Sequence, residues 1–261
     1  MKRTIFTKAT LTKVTAAVLS LFLLNACITT VTGAKKNINP TKQLEVLINL
    51  GTGYIQNRQY GRAKENLTRA LELDPRSAGA LNAFGLVYQL EGEMDLAEDY
   101  FKRAIASSPS FAMVRNNYGA YLYEQGRYEE AVEQLNVAAE DRLYPRRAQV
   151  FLNLGISYLK LGQRVEAENA LLRSVQLNPR QPRALLELGE IKFQQKDYVD
   201  AKRYYARLEA SKQTTSRSLW LCVQISKVFK NEDKAASCGL VLKNVFPNTY
   251  EYRRYQMSQN P

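Results

Sequence analysis

The chain of 261 residues contains no histidine. That absence removes Ser-His-Asp and Cys-His nucleophile systems, HExxH zinc sites and every histidine general base. Cysteine is nearly absent too, with three residues, Cys27, Cys222 and Cys238, whose spacing is unlike a zinc cluster. There is no GxxxxGK[ST] phosphate loop and no GxGxxG dinucleotide fingerprint. These absences give a reading of no enzyme, no metal, no cofactor and no small-molecule substrate. Long apolar runs are missing as well. The one near the N-terminus, Ala16 to Leu24, is too short to span a bilayer as a mature helix.

What the chain has in their place is repetition. Leu50-Gly51-x-x-Tyr54, followed by Ala63, Leu67, Ala70 and Pro75, returns in six versions between Leu44 and Pro247. This is the tetratricopeptide pattern, a helix-turn-helix unit of roughly 34 residues. Counted from the first helical residue of each unit, the signature falls at places 4, 7, 8, 11, 20, 24, 27 and 32. The second unit fills them with Leu81, Phe84, Gly85, Tyr88, Ala97, Phe101, Ala104 and Pro109. The third keeps Tyr118, Gly119, Leu122, Ala131, Leu135 and Ala138, with a short insertion near Asp141–Tyr144 that delays its proline to Pro145. The fourth has Phe151, Leu154, Gly155, Tyr158, Ala167, Leu171, Ser174 and Pro179. The fifth is looser (Leu185, Leu188, Gly189, Ala201, Tyr205, Leu208), and the sixth keeps only Leu219, Cys222, Ala235 and Pro247.

Each place has a physical reason. Gly at 8 and Ala at 20 and 27 let helices approach closely. Large residues at 4, 7, 11 and 24 fill the space between helices. Proline ends the second helix or opens the next turn. The fold expected is all-α: a right-handed superhelix, or α-solenoid, of six tetratricopeptide units at about 44–77, 78–111, 112–147, 148–181, 182–215 and 216–249. Residues 251–261 are read as a C-terminal tail.

The N-terminus reads as an address. Four cations (Lys2, Arg3, Lys8, Lys13) precede the apolar run, which ends in Leu24-Asn25-Ala26-Cys27. This resembles a bacterial lipobox, cut before a cysteine that becomes lipidated. Residues 1–26 are then a lipoprotein signal peptide, Cys27 the lipidation site, and 27–43 the lipidated cysteine and tether. By resemblance to bacterial lipoproteins, Ile28 after the cysteine favours the outer membrane, with the repeats facing the periplasm. The polar stretch Thr29–Pro40 reaches at most about 40 Å, enough to hold a globular body off the membrane.

The formal charge is +12. With the four leader cations removed, 33 basic against 25 acidic side chains leave +8. The Lys and Arg residues are dispersed among acids, so no nucleic-acid surface is expected. Glu98-Asp99 and Glu129-Glu130 fall on second helices, where solvated charge is the better reading than a carboxylate pair for glycan cleavage. Cys222 and Cys238 occupy places 7 and 23 of the sixth unit, one on each helix, and in an oxidising compartment they are candidates for a disulfide.

In such a stack the first helix of each unit lines the inner, concave surface. Places 2, 5, 9, 12 and 13 point into it. The candidate partner-binding residues there are Ile48, Ile55, Asn82, Leu86, Leu90, Met113, Asn116, Tyr123, Leu152 and Ile156. This stripe is more apolar than a solvated groove needs, which suits an amphipathic helix or an extended apolar peptide. Asn49, Asn117 and Asn153, at place 6, add side-chain amides able to bond a ligand backbone, although Asn there also has structural uses.

Taken together, lipobox plus six repeats resembles the type IV pilus biogenesis and stability lipoproteins, the pilotins. Local matches are Asn116-Asn117-Tyr118-Gly119 with Gly126-Arg127-Tyr128, then Ala201-x-x-Tyr204-Tyr205-x-Arg207, then Leu219-Trp220-Leu221 with Phe246-Pro247. The resemblance implies an outer-membrane lipoprotein, lipid-anchored and periplasm-facing. Such a protein binds the type IV pilus secretin subunit and promotes its localisation and multimer assembly, with the early repeats as the contact. Another periplasm-facing repeat lipoprotein, a β-barrel assembly factor or a peptidoglycan-enzyme adaptor, remains the alternative.

Overall fold

A computed structural model of the protein describes residues 39–259. The segment read as a signal peptide, Cys27 and the stretch read as a tether, as far as residue 38, lie outside the described residues. The chain divides into two units, Met1–Lys42 and Gln43–Pro261, and the architecture below is that of the second.

Every regular element among the described residues is helical. They are α1 (Pro40–Gln56), α2 (Tyr60–Leu73), α3 (Ala78–Glu91), α4 (Met94–Ser107), α5 (Ala112–Glu124), α6 (Tyr128–Glu140) and α7 (Arg147–Lys160). Next come α8 (Arg164–Leu177), α9 (Pro182–Gln194), α10 (Tyr198–Glu209), α11 (Ser216–Val228), α12 (Glu232–Val245) and α13 (Tyr250–Met257). None of them is long and apolar enough to cross a membrane. Helices α1 to α12 pair into six units, and first helices also contact the first helices of neighbouring units. The result is an all-α tetratricopeptide solenoid.

Two sequence boundaries shift. Helix α1 begins at Pro40, so residues 40–43 belong to a helix rather than to a tether. Proline at a first helical position loses nothing by lacking its N–H. The expected C-terminal tail is helix α13, opened by Thr249, whose side chain accepts from the Tyr252 N–H.

The contact between places 8 and 24 organises each early unit. A Cβ on Gly51 would lie 2.7 Å from Leu67, one on Gly85 2.8 Å from Phe101, one on Gly119 2.7 Å from Leu135, and one on Gly155 2.6 Å from Leu171. The side chains so received are fully buried. Burying each contributes about 1.5–3 kcal/mol. In the fifth unit this arrangement changes: Gly189 faces Leu221 of the next unit, and Tyr204 rather than Tyr205 is the buried ring. In the sixth the sizes are exchanged, with Val223 at place 8 and Gly239 at place 24, and Tyr255 of α13 covers the glycine.

A second regularity lies in the turn inside each unit. Place 15 has positive φ in all six: Arg58 (56°), Gly92 (85°), Gly126 (76°), Gly162 (74°), Lys196 (63°) and Lys230 (54°). Glycine adopts this left-handed conformation freely, whereas a residue with Cβ is strained there by about 1–2 kcal/mol.

Cys222 and Cys238 are bonded to each other, their Cα atoms 6.3 Å apart, joining α11 to α12.

Candidate functional site

Places 3 and 7 of a first helix face the preceding unit. In units two to six they are buried: Ala80 and Phe84, Val114 and Tyr118, Val150 and Leu154, Ala184 and Leu188, Ser218 and Cys222. In the first unit no described helix precedes α1. There Val46 and Leu50 are 48% and 47% exposed. Leu50, expected to fill the space between helices, therefore lies open. Its chemistry is that of an interior residue, but its position is at the end of the stack. Val46 was not singled out from sequence, although comparing place 3 across the units shows it.

The inner face was expected to be a continuous apolar stripe, and the structure divides those candidates. Ile55, Asn82, Asn116 and Leu152 are buried, because neighbouring first helices pack over them. They are interior residues, not free groove surface. Ile48 is half-buried and rests on Gly79 of α3, 3.4 Å from where a Cβ would stand. Leu86, Met113, Tyr123 and Ile156 are half-buried, while Asn49 and Leu90 are exposed. Tyr123 and Ile156 come together with Leu159, Lys160, Arg183, Glu187 and Arg217 around a cavity of about 320 Å³.

The amides along this face bond mainly to one another. Asn117 Nδ2 donates to Asn82 Oδ1 at 3.0 Å, and Asn153 Nδ2 to Asn116 Oδ1 at 3.1 Å. In both pairs place 6 of one unit reaches place 5 of the unit before. Gln149 Nε2 continues to Asn153 Oδ1 at 2.8 Å, and Gln181 Nε2 to Gln149 Oε1 at 3.2 Å. The row links three consecutive units and satisfies amides that burial would otherwise leave costly. Asn153, read as a ligand-facing amide, is buried within this chain. Gln89 Nε2 also bonds Glu124 Oε2 across units, at 2.7 Å.

Further along, charge replaces amide. Arg217 donates to Glu187 Oε1 and Oε2 at 2.9 and 2.8 Å, and also pairs with Glu190. Arg183 bonds Glu187 at 2.5 Å. Burial works to raise the Glu187 carboxyl, but Arg217 and Arg183 hold it below the usual range. For Glu190 burial wins over the same arginine and pushes the carboxyl up. Extending the inner-place count to units five and six would have named Arg183, Glu190, Phe193, Arg217 and Trp220 from sequence.

On the second helices, Glu98 is not simply solvated. It accepts from Tyr118 Oη at 2.9 Å and Arg127 Nη1 at 2.8 Å, and pairs with Lys102 at 2.9 Å. Arg127, from the turn of the third unit, also bonds both oxygens of Glu130, at 2.7 and 2.6 Å. Among the described residues Asp99 pairs only with exposed Arg103, at 3.4 Å.

Comparison with known proteins places these features in a family. The tetratricopeptide repeat family matches residues 48–110, 92–148 and 152–214. The type IV pilus assembly protein PilF of Pseudomonas aeruginosa is 41% identical over 212 residues, 81% of this chain and 84% of the relative. A solved structure of Pseudomonas aeruginosa PilF superposes with a TM-score of 0.82 at 40% identity, covering 84% of this chain and 99% of that one. The crystal structure of PilW, a widely conserved type IV pilus biogenesis factor, gives a TM-score of 0.70 at 27% identity, covering 82% and 98%. With repeats matched along most of the solenoid and 41% identity to PilF over 212 residues, the chain belongs to the tetratricopeptide-repeat proteins of type IV pilus biogenesis.

Proposed function

We propose that the protein is a pilotin. In this reading it is lipidated at Cys27, resides at the outer membrane facing the periplasm, and binds the type IV pilus secretin subunit. It promotes delivery of that subunit and its assembly into multimers. The protein acts by binding, not catalysis.

The observation that carries this reading is the open end of the first unit. Val46 and Leu50 are about half exposed where their counterparts in later units are buried. Adjacent exposed apolar side chains of this kind favour a protein partner. Covering each contributes about 1–2 kcal/mol. An apolar secretin segment that completes the stack in place of a preceding helix would bury both. Ile48, Leu86, Leu90 and Met113 extend the available apolar surface along the inner face. The family membership supports the same assignment.

The test is the distribution of SDS-resistant secretin multimer and monomer between inner and outer membranes. In a strain lacking the protein, multimer disappears and monomer accumulates at the inner membrane. Wild-type protein restores multimer, and a Val46→Asp, Leu50→Asp variant of unchanged thermal stability does not. Multimers that reach the outer membrane normally without the protein would overturn the assignment. Cys27→Ser leaves secretin binding intact but loses outer-membrane delivery.

A further inference from the structure

We propose that the C-terminal half of the inner groove is a second binding site, for an acidic peptide segment that also carries an aromatic or long aliphatic side chain. This site is distinct from the open end of the first unit, and the argument for it does not depend on the pilus reading.

Helices α9, α11 and α13, with the turn at Lys196 and Tyr198, line an open cavity of about 430 Å³ whose wall includes Phe193, Trp220 and Tyr250. At Arg217 it meets the cavity lined by Tyr123, Ile156, Leu159 and Lys160. The trough therefore offers apolar and aromatic walls over two adjoining chambers. That combination is the usual makeup of a pocket that seats a side chain.

The charges select the ligand's sign. Glu187 and Glu190 are both engaged by Arg217. Lys160, Lys196 and Arg254, on the rims of the two cavities, have no carboxylate partner among the described residues, against one similarly unpaired acid, Glu251. Arg254 is held by ring faces instead, its Cζ 5.0 Å from the Trp220 centroid and 5.7 Å from that of Tyr250. A guanidinium stacked in this way keeps its in-plane N–H groups for a carboxylate, which it can bind through two parallel bonds. The indole Nε1–H of Trp220 is buried with no acceptor among the described residues and is free to donate to a ligand.

A peptide fits better than an anionic bilayer. The cations stand on the rims of cavities whose aromatic walls call for a side chain rather than a headgroup.

Trp220 is the single tryptophan of the chain, so its emission reports on this cavity directly. The probe is an acetylated, amidated peptide of alternating Glu-Glu-Phe triplets, titrated at low salt. A saturable change in Trp220 emission is expected. Replacing Glu by Gln in the peptide, or Phe by Ser, weakens binding roughly tenfold or more, as does raising the salt for the charged part. Arg254→Gln and Lys160→Gln, at exposed positions that leave the fold intact, each weaken it several-fold. Arg69→Gln, exposed on α2, has no effect. The proposal is overturned by the absence of a saturable response to the Glu/Phe peptide, by equal binding of the Gln or Ser peptide, or by undiminished binding to Arg254→Gln. It is also overturned if phosphatidylglycerol vesicles shift Trp220 emission as strongly as the peptide does.

Discussion

The ring of Tyr255 lies directly on Gly239, so that a Cβ at residue 239 would overlap it. This contact fastens α13, which has no fully buried residue of its own, onto the last repeat. Lys227 adds bonds of 3.2 Å to the carbonyl and hydroxyl of Ser258. Gly239→Ala should therefore release α13 while sparing the rest of the stack. Overpacking of this kind costs about 1–3 kcal/mol. The measurement is limited proteolysis after α12, faster in the variant, together with a shift in Trp220 emission as Arg254 leaves its ring.

The glycine at place 8 predicts opposite signs for one substitution at two sites. Gly155→Ala drives a methyl into Leu171, 2.6 Å away, and should destabilise by about 1–3 kcal/mol in urea unfolding. Gly53→Ala, in α1 with nothing within 4 Å, should stabilise by about 0.5–1 kcal/mol, because alanine loses less backbone freedom in a helix. Equal effects from the two would refute the packing account of this place.

Lys230 holds φ 54° at the turn where Gly92, Gly126 and Gly162 stand in other units. Lys230→Gly removes the Cβ strain and should raise stability by roughly 0.5–1 kcal/mol after the added freedom of the unfolded chain is subtracted. A raised urea midpoint with unchanged slope is the expected result, and a lowered one counts against the strain argument.

Glu98 gives a pH dependence. Burial acts to raise its carboxyl, but bonds from Lys102, Arg127 and Tyr118 outweigh burial and bring it down to about 2. A carboxyl depressed in the folded state stabilises above its unfolded value of 4.5, and that contribution is lost as pH falls through about 2. Solvent screening limits it to about 1 kcal/mol. Glu98→Gln should therefore be less stable than wild type near neutral pH, with the gap closing in acid. A gap that stays constant on acidification would show that the charge is irrelevant.

The Cys222–Cys238 bond closes a loop with a sequence separation of 16. Reduction, or Cys222→Ala with Cys238→Ala, should cost about 2–3 kcal/mol. The loss should concentrate in α11 to α13, seen as faster amide exchange there, with repeats two to four unchanged. Uniform loss of protection along the stack would mean that the last repeat supports all the others.

Sequence by itself determined the repeat helices and their pairing, and their register through the fourth unit. Gly155 and Leu171, or Gly85 and Phe101, are a small and a large residue at fixed places, and their fit depends only on one helix turning back on the next. Such contacts are local, so a period of about 34 residues carries them. The tertiary structure decided what each inner residue meets. Asn116 and Leu152 share the inner face with Tyr123 and Ile156, yet only the first two are buried, because coverage comes from the neighbouring unit. Asn153 faces the groove in pattern but bonds Asn116, 37 residues away in sequence. Leu50 reads as a core residue by its place and is exposed by its rank, since no described helix precedes it. Helix α13 follows the last repeat, where the period stops, and residues brought near by folding, Gly239, Trp220 and Lys227, give it a seat. Periodicity fixes which way a side chain points along its own helix, and exposure depends on what the rest of the chain places against it.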